Sequence, residues 1–181
     1  MSAPEPGTAP ARSNSGVVWL FVIAAVAAYF LFRTNAPTPE HLENVLLPPL
    51  EVAGWMNTAV PVSNEDLRGK LVVLDCWFVD CPPCRASMPH LAEFNAKFSG
   101  QGVQVIGLTP DINADATRAE EFVKSVPGVN WPIAYGAQIP LDILGIHEFP
   151  TVILFNRAGR SVWAGHDLYG LEQATLEALA K

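Results

Sequence analysis

Apolar and polar positions divide the chain into stretches of different period. Residues 1–15 are rich in Ala, Pro, Ser, Gly and Thr and read as a disordered tail. Residues 16–32 then run for 17 positions without a charge, from Gly16 to Phe32, and Arg33 closes the run. At 1.5 Å per residue they reach roughly 25 Å as a helix, near the short end for a bilayer span. The run is apolar on every face, and Trp19 and Tyr29 stand near its two ends as interface anchors do. An uncleaved anchor over residues 16–33 is expected rather than a cleaved signal peptide, because the bulky residues Tyr29 to Phe32 offer no small-x-small site. Residues 34–49, with Pro37, Pro39, Pro48 and Pro49, read as a linker holding a short helix over 40–46.

From residue 50 to 181 the pattern alternates between strand and helix. Residues 51–57 and 59–61 suggest a short strand pair, and 64–70 a turn or short helix. Residues 71–78 are almost continuously apolar, as a central strand buried on both faces should be. A helix is expected over 83–98, interrupted and kinked at Pro89. A second buried strand follows over 103–109, a helix over 114–126, a short strand over 131–135 and a helical turn over 141–144. Residues 151–156 and 161–165, joined by Arg157-Ala158-Gly159-Arg160, read as an antiparallel hairpin, and 171–180 as the closing helix. This order predicts an α/β domain with a mixed central sheet covered by helices.

Composition narrows the chemistry. The net charge of −7 is spread over many short segments, which excludes the basic face that nucleic acid requires. Three cysteines cannot build a disulfide scaffold. A zinc site lacks a second Cys pair, and His41, His90, His147 and His166 are scattered. Cys81-Pro82-Pro83-Cys84, however, stands where the buried strand ends and a helix begins. There the free backbone N–H groups and the positive end of the helix dipole favour a thiolate, and a second sulfur one turn in can close a disulfide with the first. Pro82 and Pro83 suit a helix entry because they lack N–H groups that would have no partner there. Asp75 lies within the apolar strand, where a carboxylate without a partner has its pKa raised. Cys76, one residue on, points to the other strand face and reads as a small core residue. Asp80, next to Cys81, would disfavour its thiolate unless it turns to solvent. The acidic stretch 111–121 reads as a solvated helix entry and face.

The segment from Asp75 to Arg85, followed by Ala86-Ser87-Met88-Pro89-His90-Leu91 and by Phe149-Pro150-Thr151-Val152-Ile153-Leu154-Phe155, resembles the active-site sequences of the thioredoxin superfamily. Within it, residues 50–181 are similar to the TlpA/ResA-like membrane-tethered thiol–disulfide oxidoreductases. The resemblance implies a thioredoxin-like fold and a redox-active disulfide with no other cofactor. It implies Cys81 as the attacking sulfur, Cys84 as the resolving one and Asp75 as the base serving Cys84. Many tethered relatives carry Asn at that strand position and a Glu where this chain has Ser87. The resemblance further implies a cis bond before Pro150, with Phe149 offering its backbone to a substrate strand and Thr151 beginning the next strand. Trp77, Pro82 and Pro83 would support the active-site loop. Phe149 is larger than the residue often found there and would narrow the groove, and Asp80 replaces a common Trp.

The expected partners are protein thiols and disulfides, including haem-attachment cysteines, a membrane-associated or soluble electron donor, and lipid around residues 16–33. The expected place is the membrane, single-pass, with the domain outside the cytoplasm. Arg12 and Arg33 balance across the span and leave orientation to the redox motif. Three alternatives remain. Copper handling on a related fold uses Cys-x₃-Cys. Peroxide reduction uses Thr-x-x-Cys, where this chain has Phe78. A noncatalytic domain would not need both cysteines.

Overall fold

The computed structural model describes residues 19–27, 40–168 and 170–181. The chain divides into two compact units, Met1–Ala36 and Pro37–Lys181. In the first, residues 19–27 are helical with exposed side chains. The tail 1–15, the flanks 16–18 and 28–33 of the expected span, and residues 34–39 lie outside the described residues. Among the described residues no helix is long and apolar enough to cross a membrane.

The second unit is built on a six-stranded sheet. In chain order its strands are β1 (Gly54–Met56), β2 (Leu71–Cys76), β3 (Val103–Thr109), β4 (Ile133–Tyr135), β5 (Thr151–Phe155) and β6 (Ser161–Gly165). Its helices are α1 (Pro82–Phe98), α2 (Asn113–Ser125), α3 (Gln138–Ile143) and α4 (Leu171–Leu179). The spatial order is β1-β4-β3-β2-β5-β6. β2, β3 and β4 run parallel; β5 and β6 are antiparallel additions on one side and β1 on the other. The sheet is therefore mixed, and β2, flanked by β3 and β5, is buried at every position.

Strand alternation sorts β2 between two apolar layers. Leu71, Val73 and Trp77 join both active-site cysteines and the inner faces of α1, α2 and α4. Val72, Leu74 and Cys76 join Leu42, Leu67 and Leu141 of α3 on the other face. Gly107 of β3 is required by close approach: a Cβ there would lie 2.9 Å from Ile133 and 3.3 Å from the Trp77 indole nitrogen.

Four expectations are corrected. Residues 59–61 form no strand; Thr58 closes a local turn on Val60, with its hydroxyl donating to the Val60 carbonyl at 2.9 Å. Pro61 has no N–H for a ladder, and β1 pairs with β4 instead. The helix is not interrupted at Pro89 and runs unbroken from Pro82 to Phe98. Both Arg85, whose carbonyl loses its helical donor, and Pro89 are exposed, so water can satisfy that carbonyl. Residues 40–49 are not a free linker. Leu42 is buried, Val45 and Ser161 exchange backbone and side-chain hydrogen bonds, and Leu46 bridges to Arg160. The helical element there is a single 3₁₀ turn, Glu40–Leu42.

Candidate active site

The site forms where β2 hands the chain to α1. The Trp77 N–H still bonds the Leu108 carbonyl at 3.0 Å, prolonging the pairing with β3 by one residue. Residues 78–81 then turn, and the Cys81 N–H closes on the Phe78 carbonyl at 3.2 Å. Cys81 is the N-cap of α1, followed by the two prolines. Because Pro82 and Pro83 have no N–H, the first donor of the helix belongs to Cys84, and it points at Cys81 Sγ at 3.2 Å. The Arg85 N–H follows, bonding the Cys81 carbonyl at 3.1 Å. Cys81 and Cys84 are joined in a disulfide with their Cα atoms 5.3 Å apart. Both are almost fully buried, while Pro82 and Pro83 are exposed around them.

Asp75 has the parity of Leu71, Val73 and Trp77, which places it on the sheet face that carries the two cysteines. It is 3% exposed, and no side chain or backbone group among the described residues bonds its carboxyl. Burial alone pushes its pKa from 3.8 to about 7. A carboxyl that exchanges its proton near neutral pH, on the face of the resolving sulfur, has the property a general base needs. Cys76, fully buried on the opposite face, is a free thiol whose ionisation is pushed far up by burial and then by the Asp75 charge.

The Phe149–Pro150 bond is cis. Phe149 packs edge-on against Phe78 with ring centroids 5.4 Å apart, which joins the proline loop to the turn that carries Cys81. An edge-to-face pair of this kind is worth about 1 kcal/mol beyond its buried area. Val152 and Leu154 of β5 lie on the cysteine face, whereas Ile153 and Phe155 lie on the other. Thr151 shares the second parity. Its hydroxyl donates to the Glu148 carbonyl at 2.7 Å and meets His166 Nδ1 at 3.2 Å. The structure thus gathers Cys81, Cys84 and Trp77 in one apolar layer with Phe149 packed against it, sets Asp75 on the same sheet face by parity and Pro150 next to Phe149, and turns the Thr151 side chain to the other face.

Three further residues act on the site. Asp111 is not merely solvated. Its carboxylate accepts the Val79 N–H at 2.8 Å and the Thr109 hydroxyl at 2.6 Å, tying the active-site turn to the end of β3. Arg118 of α2 forms a two-pronged pair with Asp80 and also bonds Asp115 at 2.9 Å. The Arg118 hydrogen bond holds the Asp80 carboxyl below its usual range, so Asp80 is a paired charge beside Cys81. Arg85 lies over the Phe122 ring at 4.3 Å, and Phe122 in turn packs on Trp77 at 6.0 Å. The contacts of Asp111 with Val79, of Arg118 with Asp80 and of Phe122 with Arg85 and Trp77 have no spacing signal in the sequence, because each joins elements far apart along the chain.

Residues 46–163 match the Redoxin family. The thiol-disulfide oxidoreductase ResA of Halalkalibacterium halodurans is 30% identical over 135 residues, covering 74% of this chain and 71% of that protein. ResA of Bacillus subtilis is 32% identical over 102 residues, 56% of this chain and 55% of its own length. Among solved structures, a thiol-disulfide isomerase from Corynebacterium glutamicum superimposes with a TM-score of 0.62 at 28% identity, covering 81% of this chain and 98% of that one. With its CxxC at a strand–helix junction and a cis-proline loop joined to that turn through the Phe78–Phe149 pair, the chain belongs to the redoxin family, among the ResA-like thiol–disulfide oxidoreductases of the thioredoxin superfamily.

Proposed function

We propose that this chain reduces protein disulfides on the outer side of a membrane, held there by residues 16–33. The observation that carries the reading is the Cys84 N–H aimed at Cys81 Sγ at the N-terminus of α1. It is a donor ready for a thiolate, aided by the helix dipole. In the reduced protein the Cys81 thiolate attacks one sulfur of the substrate disulfide. An S–S bond forms between Cys81 and substrate as the substrate's own S–S bond breaks, and one substrate thiolate leaves. Asp75 takes the Cys84 proton, and the Cys84 thiolate attacks Cys81 Sγ. The mixed disulfide breaks, the second substrate thiolate leaves, and the Cys81–Cys84 disulfide remains. Two electrons have passed from the dithiol to the substrate, and a thiol donor must return them. The backbone of half-buried Phe149, ahead of the cis bond, would offer the substrate strand its place near the turn that carries Cys81. The uncharged run from Gly16 to Phe32 supports the tether.

The test is the reduction potential of the full chain, equilibrated against a dithiothreitol or glutathione series. A reductase should lie well below about −200 mV, nearer to thioredoxin than to strong periplasmic oxidants. A value near about −120 mV would reverse the direction, and the absence of a two-electron transition would refute the enzyme reading.

A further inference from the structure

Cys81 is 3% exposed, although Asp80, Pro82 and Pro83 around it are exposed. Thiol–disulfide exchange needs an incoming sulfur to reach the one it attacks. A group that covers Cys81 must therefore move in each turnover, and the contacts of the turn decide which side can give way. On the α2 side the turn is held by polar bonds and packed rings. The Asp111 carboxylate accepts the Val79 N–H at 2.8 Å, Arg118 grips Asp80 with two prongs, and the Trp77 N–H bonds the Leu108 carbonyl at 3.0 Å. Arg85 and Trp77 both pack on Phe122. On the proline side, no hydrogen bond or ion pair links residues 78–81 to residues 147–150 among the described residues. The edge contact of Phe78 with Phe149 joins the two segments, with ring centroids 5.4 Å apart. Both rings are half-buried against the apolar layer that holds the two sulfurs.

We propose that the Phe78–Phe149 pair is the gate of the site and that Phe149 is its moving leaf. A partner sulfur reaches Cys81 when the Phe149 ring swings off Phe78, while the α2 side stays fixed. This rests on Cys81 as the sulfur that exchanges. The swing needs rotation about side-chain bonds alone, and one aromatic pair of this kind favours the closed ring about fivefold. The closed pair opposes every partner alike and in both directions of exchange, so it sets rates and leaves the reduction potential unchanged. With dithiothreitol as partner, one thiolate attacks Cys81 Sγ. A mixed disulfide forms as the Cys81–Cys84 bond breaks, and Cys84 leaves as a thiolate. The second dithiothreitol thiolate then displaces Cys81 and closes the cyclic disulfide. Two electrons pass from dithiothreitol to the protein, and its two protons end on the two cysteines.

The test is the rate at which dithiothreitol reduces the oxidised full chain, read by acid quenching and thiol alkylation, with the reduction potential measured on the same proteins. Phe149→Ala should be reduced about fivefold faster, and reoxidised by oxidised dithiothreitol faster by the same factor, at an unchanged potential. Phe149→Leu keeps apolar bulk without a ring edge and should change in the same direction. Phe149→Tyr keeps the ring and should keep the wild-type rate. Phe155→Leu loosens the far layer without touching the pair, so its rate should also stay at the wild-type value. An unchanged or slower rate in Phe149→Ala and Phe149→Leu, an equal gain in Phe155→Leu, or a gain in one direction only, matched by a shifted potential, would each overturn the gate. Glutathione in place of dithiothreitol leaves a mixed disulfide whose position mass spectrometry reads. An adduct on Cys84 together with the fivefold gain would refute the exchanging role of Cys81 and still support the gate. An adduct on Cys81 without the gain would refute the gate alone.

Discussion

Replacing Asp75 by Asn should remove a pH dependence of stability whose size follows from the carboxyl's burial. In the unfolded chain this group ionises near 3.8, and in the fold at about 7. Between those values the folded state holds a proton that the unfolded state has released, so stability falls as pH rises and levels off above about pH 7. Each unit of separation is worth about 1.4 kcal/mol, so the ionised Asp75 costs the fold about 4 kcal/mol at pH 8 relative to pH 4. Asn has nearly the same shape and no charge. Asp75→Asn and the wild type should therefore be similar near pH 4, and the variant should be more stable by about 4 kcal/mol at pH 8. That is a large part of a typical domain's whole stability.

The assay is urea unfolding of the oxidised full chain at pH 4.5 to 8 and constant ionic strength, read as the difference between variant and wild type. The difference cancels titrations common to both proteins. Among the described residues Cys76 is the free cysteine of the oxidised protein, and burial keeps it protonated throughout. A difference constant to within about 1 kcal/mol over the whole range would refute the reasoning, because it would mean that Asp75 is solvated in the fold. The same ionisation should appear in function. The resolving step, in which the mixed disulfide collapses, should lose its dependence on a group titrating near 7 in the variant. If that step keeps its pH profile, Asp75 does not serve Cys84 as a base.

Two other contacts predict effects of known sign. Arg118→Gln leaves the Asp80 charge alone beside Cys81, so the Cys81 thiolate, followed by its absorbance at 240 nm, should form at higher pH. Attack on a small disulfide at pH 6 should slow about twofold, the scale of an exposed pair. The double variant with Asp80→Asn should recover, and a double variant as slow as Arg118→Gln would show that the pairing with Asp80 is irrelevant. Asp111→Ala strands the Val79 N–H and the Thr109 hydroxyl, and the urea midpoint should fall by the equivalent of about 2 kcal/mol, with faster amide exchange at Val79. Asp111→Asn, which keeps one acceptor, should lose less, and a loss below about 0.5 kcal/mol in Asp111→Ala would show that the turn is held by its packing.

The parts of this molecule that could be read from the chain are those set by short-range rules. The unbroken apolar run that ends in Cys76 marks a strand covered on both faces. Period-two alternation alone places Cys76 on the face away from the cysteines, as the far core layer bears out, and gives Asp75 the opposite parity. The helix entry at the two prolines likewise follows from chemistry local to four residues. What escaped reading depends on distant partners. β1 pairs with β4 and not with its sequence neighbour, where Pro61 would forfeit a donor; the ladder it joins lies far along the chain, with Trp55 opposite Ala134. Leu42 lies in the far layer with its carbonyl held by the Ser161 hydroxyl, which donates to it from 119 residues on.

The same division runs through the active site. Its reacting atoms are local to one turn, and its control is not. Asp111 reaches back 32 residues to Val79, and Arg118 reaches 38 to Asp80. Each sits just beyond the end of a strand or on the first turns of a helix, where the backbone leaves the sheet and a side chain can cross to a neighbouring loop. A residue acting there needs reach and one polar atom rather than a spacing, so composition and period carry no trace of it. Thioredoxin-like chains that share the two cysteines can therefore differ in pH response and reactivity through residues that no motif contains. In this chain, the Asp80–Arg118 pair and the Asp111 contacts are the places where such differences would be written.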